Sequence, residues 1–152
     1  MRTLLLYGHI VGAILWIGGA VMFNILTARL RKAGDAGQVA QLMQESEWLG
    51  KTFYPAVATW VLATGVTMVL TTGYEFKDLF VAVGIAVVIA SGALGGVYYA
   101  KETQAIVEGA RANGLEHPDV RQRLDRIRLI SWLEIAALLL VELLMVYRAG
   151  SY

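Results

Sequence analysis

The chain has 152 residues, of which 57% are hydrophobic and 16% are charged, and its mean hydropathy is +0.58. This balance is typical of an integral membrane protein and not of a soluble domain. The absence of cysteine excludes disulfides, thiolate metal sites and thiol redox chemistry. The sequence has no phosphate-binding glycine loop and no nucleic-acid signature, so we expect membrane lipid as a partner and no nucleic acid.

Four apolar stretches approach or exceed the roughly 20 residues that a helix needs to cross a bilayer. They are residues 4–27, 52–72, 79–100 and 129–147. We interpret the first as a retained span and not a signal peptide, because it is too long and no small-x-small cleavage site follows before Arg29. The sequence therefore predicts an all-α, up-and-down four-helix membrane bundle that forms a single domain over residues 1–152.

Basic residues are concentrated in the connectors that follow the first and third spans. Ten of the thirteen lie there, namely Arg29, Arg31, Lys32, Lys51, Lys101, Arg111, Arg121, Arg123, Arg126 and Arg128. The opposite side has Arg2, Lys77 and Arg148. The positive-inside rule therefore predicts a multi-pass protein of the inner (plasma) membrane, with both connectors in the cytoplasm and both termini outside it.

Both connectors are predicted to be helical extensions of the spans. Asp35 and Gln38 resemble a capping box that starts a new helix, and Pro55 is expected to kink that helix where it enters the membrane. In the second connector, Asn113-Gly114 is expected to end a helix and Pro118 to start the next. The last helix would then run to Arg148 over about 45 Å.

The single histidine within the spans, His9, is the first candidate for a functional site, because ionisable residues in lipid are costly and usually functional. Glu142 of the fourth span is predicted at the same depth, about 7 to 8 Å below the outer surface. One interpretation is an outward-facing site that binds haem or a metal or exchanges protons, with Glu142 orienting the imidazole. The other is a buried hydrogen-bonded pair that docks the first span on the fourth.

Other polar and aromatic residues within the spans have weaker interpretations. Trp16 either lines a cofactor pocket or packs in the core. Asn24 and Glu134 are at comparable depth on the cytoplasmic side and form a candidate secondary polar site, with Arg128 and Lys51 close enough to neutralise the carboxylate.

Two pairs of glycines are spaced four residues apart, Gly8 with Gly12 and Gly92 with Gly96. Such spacing lets helix backbones approach closely. The two pairs predict packing grooves on the first and third spans, used either within the bundle or in a dimer.

The supply of metal ligands limits the cofactor chemistry. With one intramembrane histidine and no cysteine, a bis-histidine haem cannot form within one chain and a structural zinc site lacks ligands. Three arrangements of haem b stay open: His9 alone, His9 with Met22, Met68 or Met145, and one His9 from each protomer of a homodimer.

The opening from Tyr7 to Gly19, with the pattern His-x-x-Gly-x-x-x-Trp-x-Gly-Gly, resembles a bacterial membrane family known as domain of unknown function 2269. The resemblance extends through residues 63–66, 73–76 and 144–148 and so covers most of the chain. It implies a four-span integral membrane protein and no established activity.

The same opening is similar to the first helix of HemJ-type protoporphyrinogen oxidases and of copper-resistance D-type domains. In the HemJ family the histidine that corresponds to His9 is thought to engage haem. The present sequence departs from that family near Asn24, where a later histidine of the first span is replaced. It also lacks an intramembrane lysine in the third span, which Lys77 and Lys101 flank.

The leading hypothesis is a haem-binding or proton-exchanging component of a membrane redox or transport assembly that acts through His9 and Glu142. One alternative is a non-catalytic structural or assembly subunit, as a homodimer or in a larger membrane complex. Another is a small metal or solute transporter. No catalytic residue is assigned, and whether the protein is an enzyme is left open.

Overall fold

The fold was obtained as a computed structural model that describes residues 2–149, without the side chains of Thr72, Arg148 and Ala149. The side chain of Arg148 and the ends of the predicted domain, residues 1 and 150–152, therefore lie outside the described part. The helices are α1 (Arg2–Ala33), α2 (Ala36–Trp48), α3 (Tyr54–Thr72), α4 (Leu79–Ala93), α5 (Ala100–Asn113) and α6 (Pro118–Ala149). π-helical segments at Leu49–Phe53 and Leu94–Tyr99 join α2 to α3 and α4 to α5.

Four continuous helical stretches are long and apolar enough to cross a membrane: Arg2–Ala33, Ala36–Thr71, Leu79–Asn113 and Pro118–Tyr147. In their most apolar windows only 17–22% of the residues are buried within the chain, so most of the apolar side chains face outward. Apolar surface of this extent is stable in lipid and not in water. The predicted all-α four-helix membrane bundle is confirmed.

The ends of the connectors are built as the sequence predicts. The Asp35 carboxylate accepts a hydrogen bond from the Gln38 backbone N–H at 2.9 Å and another from the Gln38 side-chain amide at 2.8 Å, which completes the N-terminal cap of α2. Gly114 ends α5 with a φ of +82°, a conformation that glycine adopts without strain. Pro118 is the first residue of α6, whose 32 residues span about 48 Å.

Helices α2 and α5 and residues 118–128 of α6 pack together as a charged unit outside the apolar windows, which we call the extramembrane layer. Its core residues are all at most 7% exposed: Val39, Ala40, Met43, Ile106, Ala110, Leu115, Val120, Leu124 and Ile127. The opposite end of the bundle is closed by residues 73–78 and is called the loop end. The layer fixes how three of the spans leave the membrane.

The entry of the second span differs from the prediction. The expected kink at Pro55 is replaced by the π-helical segment Leu49–Phe53, after which Pro55 lies in the first turn of α3, where its missing N–H is tolerated. The two π-helical segments contact each other. A π-helical insertion rotates the residues that follow it, and such insertions are frequent at functional sites.

Within the membrane, α1 packs most extensively on α3 and also contacts α6. Contact between the first and fourth spans is therefore present as predicted, but the closest neighbour of the first span is the second. The Trp60 indole N–H donates a hydrogen bond of 2.8 Å to the Gly8 carbonyl across this interface. Midway through the bundle, Trp16, Val57, Val61 and Leu138 form a buried apolar cluster.

One ion pair joins α1 to the extramembrane layer and predicts a pH dependence. Arg31 Nη1 donates to Asp125 Oδ1 at 2.6 Å, and this hydrogen bond lowers the pKa of the Asp125 carboxyl, opposed by burial and assisted by the positive charges of Arg31, Arg121 and Arg128. Because the folded-state pKa lies below the unfolded one, the stabilisation is present above the unfolded pKa and is lost as pH falls through the folded pKa.

In acid titrations followed by helix content, Asp125→Asn should lose less stability below neutral pH than the wild type. With Asp125 side chain 56% exposed, the difference should stay below about 1 kcal/mol. Equal acid sensitivity of the two proteins would contradict this.

Candidate functional site

His9 lies on the face of α1 that packs against α3, and only 6% of the residue is exposed. Its Nδ1 lies 3.0 Å from the Val61 carbonyl oxygen and 3.0 Å from Thr64 Oγ1. The Thr64 hydroxyl donates its own hydrogen to the Trp60 carbonyl at 2.8 Å. His9 therefore joins the first span to the second near the loop end.

These contacts determine which imidazole nitrogen carries the hydrogen. A carbonyl oxygen can only accept, so Nδ1 must be the N–H donor to Val61. The Thr64 oxygen can accept from the same N–H because its own hydrogen is directed to a backbone carbonyl of α3, that of Trp60 at 2.8 Å or that of Val61 at 3.0 Å. Among the described residues none makes a hydrogen bond to Nε2. In the neutral ring Nε2 then holds a lone pair and is the nitrogen available to a ligand or proton.

His9 and Glu142 line one cavity of about 160 Å³ that is bounded by all four spans. The walls are almost entirely apolar, and the ionisable side chains that line them are His9, Tyr74 and Glu142. Leu6 and Leu62, which also line the cavity, are 46% and 37% exposed, so single side chains separate the cavity from the outer surface of the bundle. An apolar pocket with a few convergent polar groups is the usual form of a small-molecule site.

The direct pair of His9 and Glu142 is not formed. No hydrogen bond joins them in residues 2–149, and the imidazole docks the first span on the second and not on the fourth. The physical reason is the close approach that Gly65 allows, since a Cβ there would lie 3.1 Å from His9 Cε1. Glu142 is half-buried across the same cavity. Binding of a cofactor by His9, Glu142 and Trp16 remains a prediction.

Trp16 fits both of its predicted roles, because it is 6% exposed in the mid-bundle apolar cluster and also lines the cavity. Among the methionines named as axial haem ligands, Met68 and Met145 line the cavity as well. Met22 is 57% exposed on the surface of α1.

Asn24 and Glu134 both lie toward the end of the bundle nearer the extramembrane layer but have different partners from those expected. The Asn24 amide donates to Ser131 Oγ at 2.6 Å, and Glu134 accepts from the Tyr99 hydroxyl at 2.9 Å. Lys51 forms an ion pair with Glu47, four residues earlier on the same helical stretch, and so does not neutralise Glu134. The second π-helical segment ends at Tyr99 and directs this hydroxyl toward the fourth span.

The two glycine pairs behave differently. A Cβ at Gly12 would lie 2.6 Å from Val61 Cγ2, and one at Gly8 would lie 3.1 Å from the Trp60 ring, so this pair makes the predicted groove between spans. Among the described residues, a Cβ at Gly92 or Gly96 would meet nothing within 4 Å. A groove on the third span within the bundle is therefore wrong, and its use in a dimer remains a prediction.

Sequence reasoning missed the residues of α3 that hold the imidazole. No motif singles these residues out, although Val61, Thr64, Gly65 and Met68 recur at the spacing of one helix face. All four lie beside His9 or line the cavity. This spacing could have identified the α3 residues beside His9 from the sequence.

Haem does not fit the cavity. A volume of 160 Å³ is close to the roughly 150 Å³ of an engineered apolar cavity that binds benzene, whereas a porphyrin contains four pyrrole rings. Within the part of the chain that the structure describes, no group of three or more histidine or carboxylate side chains could hold a metal ion. The donor set suits a small organic molecule better than a metal cofactor.

A comparison with known families matches residues 3–149 to a family described as a predicted integral membrane protein, DUF2269. The chain belongs to this family. The match covers all four spans of the DUF2269 protein and the extramembrane layer. Searches of curated proteins and of solved structures find no match.

Proposed function

We propose that this DUF2269 protein exchanges protons at a site formed by His9 and Glu142, as a component of a membrane redox or transport assembly. The observation that supports it best is the hydrogen bond from His9 Nδ1 to the Val61 carbonyl. It holds the ring in one orientation and leaves Nε2 as the nitrogen that gains and loses a proton. A hydrogen bond of this kind is the usual means of fixing a functional histidine.

The cavity supplies the second half of the site. A proton that leaves the Glu142 carboxyl for His9 Nε2 produces a carboxylate and an imidazolium that line the same cavity, where their opposite charges offset part of the cost of burying each. Nδ1–H stays on the Val61 carbonyl throughout. We also propose that the extramembrane layer is cytoplasmic, because ten of the thirteen basic residues lie in it or in the helix ends beside it, so that the site faces the outer side of the inner membrane.

Nitrogen-15 NMR of histidine in lipid nanodiscs tests the site directly, because the chain has only two histidines. A His117→Gln variant assigns the signals. We expect His9 in the Nδ1–H tautomer, with a titration midpoint that changes by about one pH unit in Glu142→Gln, as a nearby charge requires. Glu134→Gln, on the same helix but hydrogen-bonded to Tyr99, is the matched control and should leave the midpoint unchanged.

An Nε2–H tautomer, or a midpoint that Glu142→Gln leaves unchanged, would falsify the proposal. An absorption spectrum of the purified protein is the companion measurement. A Soret band that disappears in His9→Ala would show that the bundle opens to take haem, and would replace proton exchange by haem binding.

A further inference from the structure

We infer that the cavity of His9 and Glu142 binds the head group of a lipid-soluble quinol, a single aromatic ring with two hydroxyl groups. This inference rests on the proposed function, since it names the partner with which the site exchanges protons. It follows from the size of the cavity, the polarity of its walls, its access from lipid and the direction of the hydrogen bonds that it offers.

Size restricts the occupant to about one ring. The cavity volume of 160 Å³ is close to that of an engineered cavity that accommodates benzene. Its walls come from aliphatic and aromatic side chains, with Trp16, Phe80 and Val88 among them. A planar ring would gain apolar contact on both faces, whereas a charged or strongly hydrated solute would lose its water without replacement.

Polarity restricts the occupant further. His9 on α1 offers a lone pair at Nε2, because Nδ1–H is held by α3, and therefore requires a donor such as a hydroxyl. Glu142 on α6 offers a second polar group on another wall. Two hydroxyl groups at opposite ends of one ring match two polar groups on different helices.

Access favours a ligand that arrives through the bilayer. Leu62 lines the cavity and is 37% exposed, about ten residues or 15 Å along α3 from its end at the loop end. Displacement of this one side chain would therefore open the cavity to lipid and let a bound head group leave its alkyl tail there. A water-soluble phenol would gain nothing from such an opening.

The test uses the full-length protein in nanodiscs under anaerobic conditions, with three probes that share one ring and one chain. These are decylhydroquinone, its dimethyl ether and decylbenzene, and binding is followed by tryptophan fluorescence and by the rise in melting temperature. We expect decylhydroquinone to bind at least about tenfold more tightly than either control, because one good hydrogen bond raises the affinity by about this factor. Equal binding of the three probes would overturn the inference, because it would show that the cavity binds any apolar ring and does not recognise the hydroxyl groups.

Variants identify the site. His9→Phe keeps a ring but removes the acceptor, and should erase the preference for the hydroquinone over its ether. Ala13→Leu, in the cavity wall, should weaken all three probes, whereas Ala86→Leu, exposed on α4, should weaken none. If Ala13→Leu does not fold, Val88→Phe fills the same cavity. Hydroquinone binding that survives both filling variants would place the ligand elsewhere.

The two proposals fail separately. If His9 titrates in response to Glu142 but no hydroquinone preference exists, proton exchange stands and the quinol assignment falls. If the preference for hydroquinone exists and depends on His9, but the titration midpoint of His9 is the same in Glu142→Gln, quinol binding stands and the proton-exchanging pair falls.

Discussion

Replacing Ile106 with alanine is expected to lower the free energy of unfolding by about 2 to 5 kcal/mol. Ile106 is 0% exposed and lies on α5 at the centre of the extramembrane layer, among Val39, Met43 and Leu124. The deleted atoms lose their transfer free energy, and the surrounding helices cannot close the void completely. Denaturant titration of the purified protein in mixed micelles, followed by helix content, measures the loss.

The matched control is Gln104→Ala on the same helix. Gln104 is exposed and makes only a 3.3 Å contact with Glu108, so its loss should cost less than about 0.5 kcal/mol. Equal effects of the two substitutions would mean that the layer is not a packed unit. In that case it would not fix how the spans leave the membrane.

Gly12→Ala is expected to destabilise the bundle by about 1 to 3 kcal/mol, the usual cost of overpacking. The new Cβ would lie 2.6 Å from Val61 Cγ2 and 3.0 Å from Trp60 Cδ1, and valine has little rotamer freedom with which to yield. The helices must therefore separate. Because Val61 also accepts the hydrogen bond from His9, the variant should shift the His9 NMR signal as well.

Gly18→Ala provides the comparison on the same helix. A Cβ at Gly18 meets nothing within 4 Å, and alanine favours helix over glycine by as much as about 1 kcal/mol. The variant should be neutral or slightly stabilising and should leave the His9 signal in place. Steric trapping or mixed-micelle unfolding compares the two variants, and a Gly12→Ala protein as stable as Gly18→Ala would refute the tight interface.

The spans and helix ends were predictable because they depend on local chemistry. Twenty apolar residues suffice to predict a crossing, and the Asp35 cap and the Pro118 start each involve residues within one turn. The π-helical segments were not predictable by the same means. The two segments contact each other although they lie about 45 residues apart in the chain, and such a contact leaves no local pattern in the sequence.

The depth of the site residues was predictable from the sequence, but their hydrogen-bond partners were not. Depth along the spans brought His9 and Glu142 to one level, and both line the cavity. The hydrogen-bond partner of His9 was not predictable in this way, because it depends on which helix packs beside α1. The close approach at Gly65 and Gly12 places α3, and not α6, within hydrogen-bond distance of His9. Likewise Tyr99 rather than a cation partners Glu134, since the π-helical segment determines where its hydroxyl points.

The mid-bundle apolar cluster of Trp16, Val57, Val61 and Leu138 has an electrical consequence. Leu138 of this cluster lies one helical turn from Glu142 and one from Glu134, so the cluster lies between the cavity and the Tyr99–Glu134 contact. Under the proposed exchange, a proton that enters from the loop end and stops at the predicted depth of His9 crosses about 8 Å of roughly 30 Å of hydrocarbon. If the potential falls evenly, that proton senses about a quarter of it, or about 0.6 kcal/mol per 100 mV. The proton affinity of His9 should therefore respond weakly, but measurably, to membrane voltage.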